Sequence, residues 1–355
     1  MGKKYQIAVL PGDGIGPEVV AEGLKVLKRV SEIEGFSYQL TEYLHGSEHY
    51  LKTGELFPDS VLSELKQQDA IYLGAIGDPR VEVGLVERAV IAGIRFGLDL
   101  YVNLRPIKLL AEHLCPLKDK KPEDVDMLVV RENTEDLYAG IGGFLKKGTP
   151  DEVAIQEMVF TRKGCERVIR FAFEQASKRR KKLTLVDKAN AIRAMDIWTR
   201  TFAEVGKEFP QVTSDHAYID AACMWLVKSP EQFDVVVTNN IFGDILTDLG
   251  AMIQGGMGIA ASGNIHPGKV SMFEPIHGSA PKYKGKGVVS PVAAIAACGM
   301  MLEYLGETKS AWRIEQAITE LLVGKKIPSL DSSSGLSTSA CGDLITRQLG
   351  EVKPA

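Results

Sequence analysis

The sequence predicts an α/β protein with more than one domain. Three observations carry that prediction. Short apolar runs alternate with stretches of helical period. Glycine-rich turns punctuate the alternation. At 355 residues, the chain exceeds what one hydrophobic core usually holds.

The elements follow in order. Ile7–Leu10 is the first strand-like run, and a helix is expected from Pro17 to about Ile33. Proline suits a helix start because its missing N–H would be unpaired there anyway. Ala70–Gly74, Met127–Val130, Leu183–Val186 and Val235–Thr238 are further buried-strand candidates. Val168–Ala176 reads as helix. Glycine clusters at Gly140–Gly143 and Gly255–Gly258 mark breaks. Tyr138 to Val153 has turn residues and weak period-two character, so it reads as a loop or hairpin arm. No internal repeat or low-complexity linker is present.

Composition excludes several classes. Apolar residues make up 45%, charged residues 25%, and the net charge is −4, which gives no electrostatic case for nucleic acid or membrane binding. The basic run Lys178–Lys182 reads as a solvated helix end. No run reaches the roughly 18 apolar residues of a membrane span. The start M-G-K-K-Y-Q-I has no signal-peptide core, and Gln6 stands where myristoylation wants Ser or Thr. Cys115, Cys165, Cys223, Cys298 and Cys341 are scattered and odd in number, as in a cytoplasmic protein with reduced thiols.

Five stretches carry candidate chemistry. V-L-P-G-D-G-I-G-P-E-V places Gly12, Gly14 and Gly16 between a strand and a helix. The spacing is G-x-G-x-G, not the dinucleotide fingerprint. In N-N-I-F-G-D-I-L-T-D-L, Asp244 and Asp248 are four apart on an expected helix start and share a face. Paired carboxylates suit a hard divalent cation; the alternative is a helix N-terminal aspartate beside a solvated one. Arg95, Arg105 and Arg131 are candidate carboxylate binders or ordinary surface arginines. Arg105 and Arg131 stand out because each follows an apolar run. Lys188, at a strand end within L-V-D-K-A-N, reads as a rim lysine or a pocket base, and Tyr138 as packing or a proton donor. F-E-P-I-H-G-S-A-P-K-Y, around His277, reads as a phosphate- or adenine-covering loop or a plain surface loop.

Taken together, these segments resemble a known family. G-D-G-I-G-P-E, N-L-R-P, V-V-R-E-N-T-E, D-K-A-N, I-D-A, N-I-F-G-D-I-L-T-D and F-E-P-I-H-G-S-A-P occur in the order found in the metal-dependent β-decarboxylating dehydrogenases. That is the isocitrate and isopropylmalate dehydrogenase family, and the resemblance runs nearly end to end. It implies a two-domain α/β fold that is not of the Rossmann type. Residues 1–104 and 256–355 would form a discontinuous cofactor-side domain, and 105–255 the dimerisation and metal/substrate domain. An arm at about 139–160 would interlock two subunits of a homodimer.

The resemblance also implies individual roles. Arg95, Arg105 and Arg131 would hold the carboxylates of a malate-type substrate. Asp244 and Asp248, with Asp220 of the partner subunit, would bind Mg²⁺ or Mn²⁺. Lys188, also from the partner, would help take the 2-hydroxyl proton, and Tyr138 would protonate the carbon left after CO₂ departs. Gly14, Ile15, His277, Gly278, Ser279, Ala280, Pro281, Lys282, Tyr283 and Ser290 would meet the nicotinamide cofactor. The group on C3 of the substrate is read just upstream of Arg95. There, isocitrate enzymes carry Ser and Asn where this chain has Ala89 and Ile91, and homoisocitrate enzymes add Arg where it has Ala92. An apolar patch cannot pair a carboxylate but can contact an alkyl group, so 3-isopropylmalate is expected. R-E-N-T-E-D-L-Y resembles isocitrate enzymes, and Arg88 stands where isopropylmalate enzymes commonly carry Glu, so isocitrate, tartrate and other alkylmalates stay open. A non-catalytic paralogue is the reading from a different class. NAD is the expected cofactor. The Lys282–Tyr283 pair matches NADP-dependent isocitrate enzymes, while G-K-K-I-P-S-L-D-S-S-S-G lacks the Tyr and Arg that complete their phosphate site.

Overall fold

The structure is a computed structural model that describes residues 4–332 and 334–352. Met1–Lys3 of the N-terminal reading and Ser333 of the S-S-S run lie outside the described residues. The chain forms two compact units. The first comprises residues 1–100, 108–122 and 251–355, and the second residues 101–107 and 123–250. The second unit therefore differs from the unbroken 105–255 expected. Residues 108–122 group with the first unit, where the Lys108 N–H donates to Gln254 Oε1 at 2.8 Å and its ammonium pairs with Glu315.

In the first unit, β1 (Lys4–Gly12) runs parallel to β2 (Ser37–Glu42) and to β3 (Ala70–Ala75). The helix joining β1 to β2 is Gly16–Glu34, and Gly35 closes it at φ 79°. Its inner face buries Val19, Val20, Val26, Leu27 and Val30. All of β3 is buried, so this strand reads as a continuous apolar run. The expected strands and first helix fall where the pattern placed them, Val235–Thr238 with the same bounds and the others extended by one to three residues at one or both ends.

The second unit opens with β4 (Val102–Lys108) and β5 (Asp126–Glu132). The hairpin β6 (Gly142–Leu145) and β7 (Val153–Gln156) follows, paired antiparallel with Leu145 opposite Val153. Every residue of both strands is exposed, including Phe144, Leu145, Val153 and Ile155. Next come helix Arg162–Ser177, β8 (Lys182–Asp187), helix Asp196–Gly206, β9 (Thr213–Tyr218), helix Ile219–Lys228 and β10 (Val235–Thr238). The sheet order is β4-β5-β10-β8-β9, with β10 parallel to β5 and β8, and β8 parallel to β9. Helix Asn240–Ile253 leaves β10 at its C-terminal end. In the first unit, β11 (Ala261–Ile265) and β12 (Ser271–Pro275) complete the order β2-β1-β3-β12-β11. Strand β11 is antiparallel to β12.

The basic run at 178–182 follows the end of helix Arg162–Ser177, with Lys178, Arg180 and Lys181 exposed, but two of its arginines also turn to buried partners. Arg179 donates to Asp234 Oδ1 and Asp126 Oδ1, each at 2.9 Å, and Arg180 donates to the Phe233 and Asp126 carbonyls. Asp234 is buried, and a buried carboxylate requires a cation beside it. Two arginines supply it while fixing the turn into β8.

Candidate active site

In the second unit the site is built around Asp244. Arg105 sits on β4 two residues after Asn103, on the same strand face, and donates Nε to Asn103 Oδ1 at 2.6 Å. Its Nη1 donates to Thr247 Oγ1 at 2.6 Å. Arg131, near the end of β5, is 1% exposed. It donates Nε to Asn240 Oδ1 at 2.9 Å and Nη1 to Asp244 Oδ1 at 2.6 Å. Arg105 Nη2 lies 3.4 Å from the same Asp244 oxygen. The Tyr138 hydroxyl donates to the other, Oδ2, at 2.7 Å. The Arg131 guanidinium lies 5.4 Å from the Tyr138 ring centroid. Asp248, one turn on, lies 3.8 Å from Arg105 and is largely exposed. Partial burial and the Asp244 charge hold its carboxyl above the usual range.

Glycine makes this approach possible. A Cβ on Gly243 would come within 2.5 Å of Arg131 Cγ. The helix carrying both aspartates can therefore lie against the arginine only where no side chain intervenes.

The alternative role for Asp244, serving the helix N-terminus, is taken by another residue. Helix Asn240–Ile253 starts four residues before Asp244. Asp136 Oδ2 accepts from the Ile241 N–H at 2.9 Å and from Asn239 Nδ2 at 2.6 Å. Asp136 is fully buried at φ 70°, and burial raises its carboxyl. Its own segment, Asp136–Ala139, is the short helical turn that carries Tyr138. Sequence reasoning missed Asp136, Asn103, Asn240 and Thr247. All four lie inside the quoted motifs: Asn103 in N-L-R-P, Asp136 in R-E-N-T-E-D-L-Y, and Asn240 and Thr247 in N-I-F-G-D-I-L-T-D.

A second group in the same unit is Lys188 with Asp220. Lys188 follows β8, and its Nζ donates to Asp220 Oδ1 at 2.6 Å. Asp220 lies in the first turn of helix Ile219–Lys228, where the helix dipole favours a carboxylate. The Lys188 hydrogen bond holds its carboxyl below the usual range. Buried Asp187 sets the turn by accepting from the Ala189 N–H at 3.0 Å.

The first unit holds the remaining candidates. Arg95 donates to Glu274 Oε1 at 3.0 Å, and Asn264 donates to the same oxygen at 2.8 Å. Arg95 belongs to a different unit from Arg105 and Arg131. Ala89, Ile91 and Ala92 lie in a widened helical turn of π type, Arg88–Ala92, a local form that recurs at functional sites. Ala89 and Ala92 are half-buried, and Ile91 packs partly against the core around Leu73, Val90 and Ile94.

The glycine loop and the H-G-S-A-P loop meet directly. The Ile15 N–H donates to the Ser279 carbonyl at 2.9 Å. Gly14 adopts φ 58°, and a Cβ there would lie 1.9 Å from that carbonyl oxygen. Ala280 is left-handed at φ 40°. His277 Nδ1 lies 3.1 Å from the Gly278 carbonyl, its Nε2 is buried without a hydrogen-bond partner, and burial holds its imidazole below the usual value. Gly278 is exposed, and Pro281–Tyr283 forms one tight turn. The Lys282 ammonium lies 4.7 Å from the Tyr283 ring centroid, and Ser332 donates to the Tyr283 hydroxyl at 3.3 Å. Ser290 Oγ accepts from the Val292 N–H at 3.4 Å, at the start of helix Val292–Tyr304. Lys325 and Lys326 are exposed.

Comparison with known proteins places the chain. The profile of the isocitrate/isopropylmalate dehydrogenase family matches residues 6–345. The chain belongs to that family, and with it to the β-decarboxylating dehydrogenases. It is 51% identical over 354 residues to a 3-isopropylmalate dehydrogenase of Thermobifida fusca, covering 98% of this chain and 99% of that one. It is 49% identical over 348 residues to a 3-isopropylmalate dehydrogenase of Corynebacterium glutamicum, covering 97% and 99%. Among solved structures it resembles an isocitrate dehydrogenase from Methylococcus capsulatus, with a TM-score of 0.87, 37% identity, and 97% and 99% coverage. Among the described residues no helix is long and apolar enough to cross a membrane.

Proposed function

We propose that the chain oxidises 3-isopropylmalate and decarboxylates the product to 2-oxoisocaproate, reducing NAD, in leucine biosynthesis. The observation that carries the chemistry is the Asp244 cluster. A carboxylate, two guanidiniums and a phenol converge on one point, with a second carboxylate one turn away. The relatives' names and the apolar set Ala89, Ile91 and Ala92 support the substrate.

A divalent cation fits Asp244 and Asp248. Both donors are hard oxygens, as Mg²⁺ and Mn²⁺ prefer, and the burial and Asp244 charge that raise Asp248 are what a cation would offset. Asp220 of the partner subunit completes the proposed ligand set. Bound there, the ion would acidify the 2-hydroxyl and stabilise enolate charge. Arg105 and Arg131 would exchange Asp244 for the substrate carboxylates, which they match as bidentate donors. Arg95 is assigned with them. The partner subunit's Lys188 would take up the 2-hydroxyl proton as C2 gives up hydride. Tyr138, already hydrogen-bonded at Asp244, would then deliver a proton to C3 after CO₂ leaves.

The nicotinamide cofactor is assigned to Gly14, Ile15, His277–Tyr283 and Ser290. The orphaned Nε2 of His277 and the left-handed Ala280 describe a loop prepared to contact something other than itself. NAD is proposed, with NADP disfavoured by no more than about a hundredfold. Lys282 favours a 2′-phosphate, whereas the exposed Lys325 and Lys326 replace the Tyr and Arg that complete such a site.

A homodimer is part of the proposal. A two-stranded hairpin is marginal alone, and this one exposes Phe144, Leu145, Val153 and Ile155. Met224 and Val227 are also exposed on helix Ile219–Lys228. A second copy supplies the cover. Cytoplasmic location is proposed from the free cysteines.

One assay tests the reading. The purified chain is offered 3-isopropylmalate, isocitrate, homoisocitrate and tartrate with Mg²⁺ and each cofactor. The expected kcat/KM favours 3-isopropylmalate by at least about a hundredfold, because a carboxylate left unpaired against alanines and isoleucine is costly. Comparable or higher activity on isocitrate overturns the substrate. Preference for NADP overturns the cofactor.

A further inference from the structure

We propose that His45, His49 and Glu55 bind one divalent transition-metal ion of the zinc type, at a site separate from the aspartates of the second unit. All three belong to the first unit, around the short helix Ser47–Thr53. An imidazole nitrogen from each histidine and a carboxylate oxygen of Glu55 lie within 4.8 Å of one another. His49 Nε2 and Glu55 Oε2 are already 3.1 Å apart. A tetrahedral zinc site with bonds of about 2.0–2.2 Å needs its donors at little more than that spacing.

The local structure holds the donors in place. Helix Ser47–Thr53 is anchored at its start, where Asp13 accepts from the Ser47 N–H at 2.8 Å and the Ser47 hydroxyl at 2.7 Å. Gly54 ends it at φ 74°. The Thr53 hydroxyl donates to the His49 carbonyl and accepts from the Glu55 N–H, folding Glu55 back toward His49. His45 stands edge-on to Phe57, with ring centroids 5.8 Å apart, and 4.7 Å from the His49 ring.

Packing explains the aromatic contacts, and an exposed ion pair explains His49 with Glu55. Neither explains His45 Nδ1, which is buried and has no hydrogen-bond partner. A buried imidazole nitrogen without a partner is costly. Two imidazoles and one carboxylate suit zinc, cobalt or nickel better than magnesium. Three protein donors leave a coordination position for water.

The test uses the metal-stripped full-length protein in excess Mg²⁺, which occupies hard oxygen sites. Zn²⁺ is titrated by calorimetry, and Co²⁺ is followed by visible absorption. Wild type is expected to take one Zn²⁺ per chain that Mg²⁺ does not displace. His49→Gln and Glu55→Gln are each expected to weaken it by at least about tenfold. Glu55 is exposed, so its substitution leaves the fold intact whatever the histidine variant does. The proposal is overturned if wild type binds no zinc under Mg²⁺, or if Glu55→Gln binds it as wild type does.

Discussion

Around Asp244 the second unit gathers charge, whereas around Gly14 the first unit gathers backbone. Arg131, Arg105 and Tyr138 converge on the two oxygens of one carboxylate. Among the described residues, no guanidinium or phenol converges on the carboxylate beside Gly14; its donors are two backbone amides and a serine hydroxyl. There, an amide meets a carbonyl, a glycine passes where no Cβ fits, and the Asp13 carboxylate ties Ser47 and Gly77 to the loop. The first region should respond sharply to a change of charge at constant shape. The second should respond sharply to a change of shape at constant charge.

The largest effect expected is from Asp244→Asn. The metal contribution to transition-state stabilisation is several kcal/mol, so kcat/KM should fall by more than about 10³-fold. Stability should fall too, by about 1–3 kcal/mol, because two nearly buried guanidiniums lose their counter-charge. That range is discounted for the partial exposure of Asp244. Asp248→Asn should also lose activity but keep its Tm, because Asp248 is exposed and its charge is already opposed by Asp244. Kinetics and thermal melts on both variants separate the cases, and equal loss of stability would break the contrast.

Tyr138→Phe changes no charge and little shape. It should lower kcat by about 10²- to 10⁴-fold while leaving the substrate KM nearly unmoved, the signature of lost proton delivery. An unchanged kcat returns the phenol to a packing role.

Gly14→Ala is the complementary test in the other region. The obstructing atom is the Ser279 backbone carbonyl, 1.9 Å from the new Cβ, so the two loops must separate. A cost of about 1–3 kcal/mol is expected. The KM for the cofactor should rise, with affinity for Mg²⁺ unaltered. A variant with wild-type cofactor KM would show that the contact between the loops is dispensable.

The last effect, which touches stability and not turnover, concerns Glu132, which lies next to Arg131. Its carboxylate accepts from the Thr134 N–H and hydroxyl and from the Glu135 N–H. Burial nonetheless pushes the carboxyl up to about 7. A carboxyl whose folded value lies above its unfolded value binds its proton more tightly when folded. Stability should therefore decline as pH rises from about 4.5 to about 7 and flatten beyond, by at most about 3 kcal/mol. Denaturant melts across that window should show the slope in wild type and lose it in Glu132→Gln.

Local pattern made much of this legible. Ile7–Leu10, Ala70–Gly74 and Val235–Thr238 announced their strands because buried parallel strands are continuous apolar runs. Pro17 marked the start of the first helix because its fixed backbone suits a first helical turn. The spacing of Asp244 and Asp248 put both on one helix face through helical period alone. Glycines with positive φ stood out in the first loop because the chain turns there whatever lies across from it.

Tertiary structure decided what each group faces. The partner of Asp244 is Arg131, 113 residues away, and that of Arg95 is Glu274, 179 away. Asp136, not Asp244, meets the helix start across 105 residues. The run at 178–182 reads as solvent-facing until Asp126 and Asp234 are found behind it. The sequence by itself determined the apolar strands β1, β3, β5, β8 and β10, the first glycine turn and the helix face shared by Asp244 and Asp248, because those follow from period and backbone conformation within a few residues. It could not determine which charges compensate one another, because electrostatic pairing depends on distance through space, and only the folded chain sets that distance.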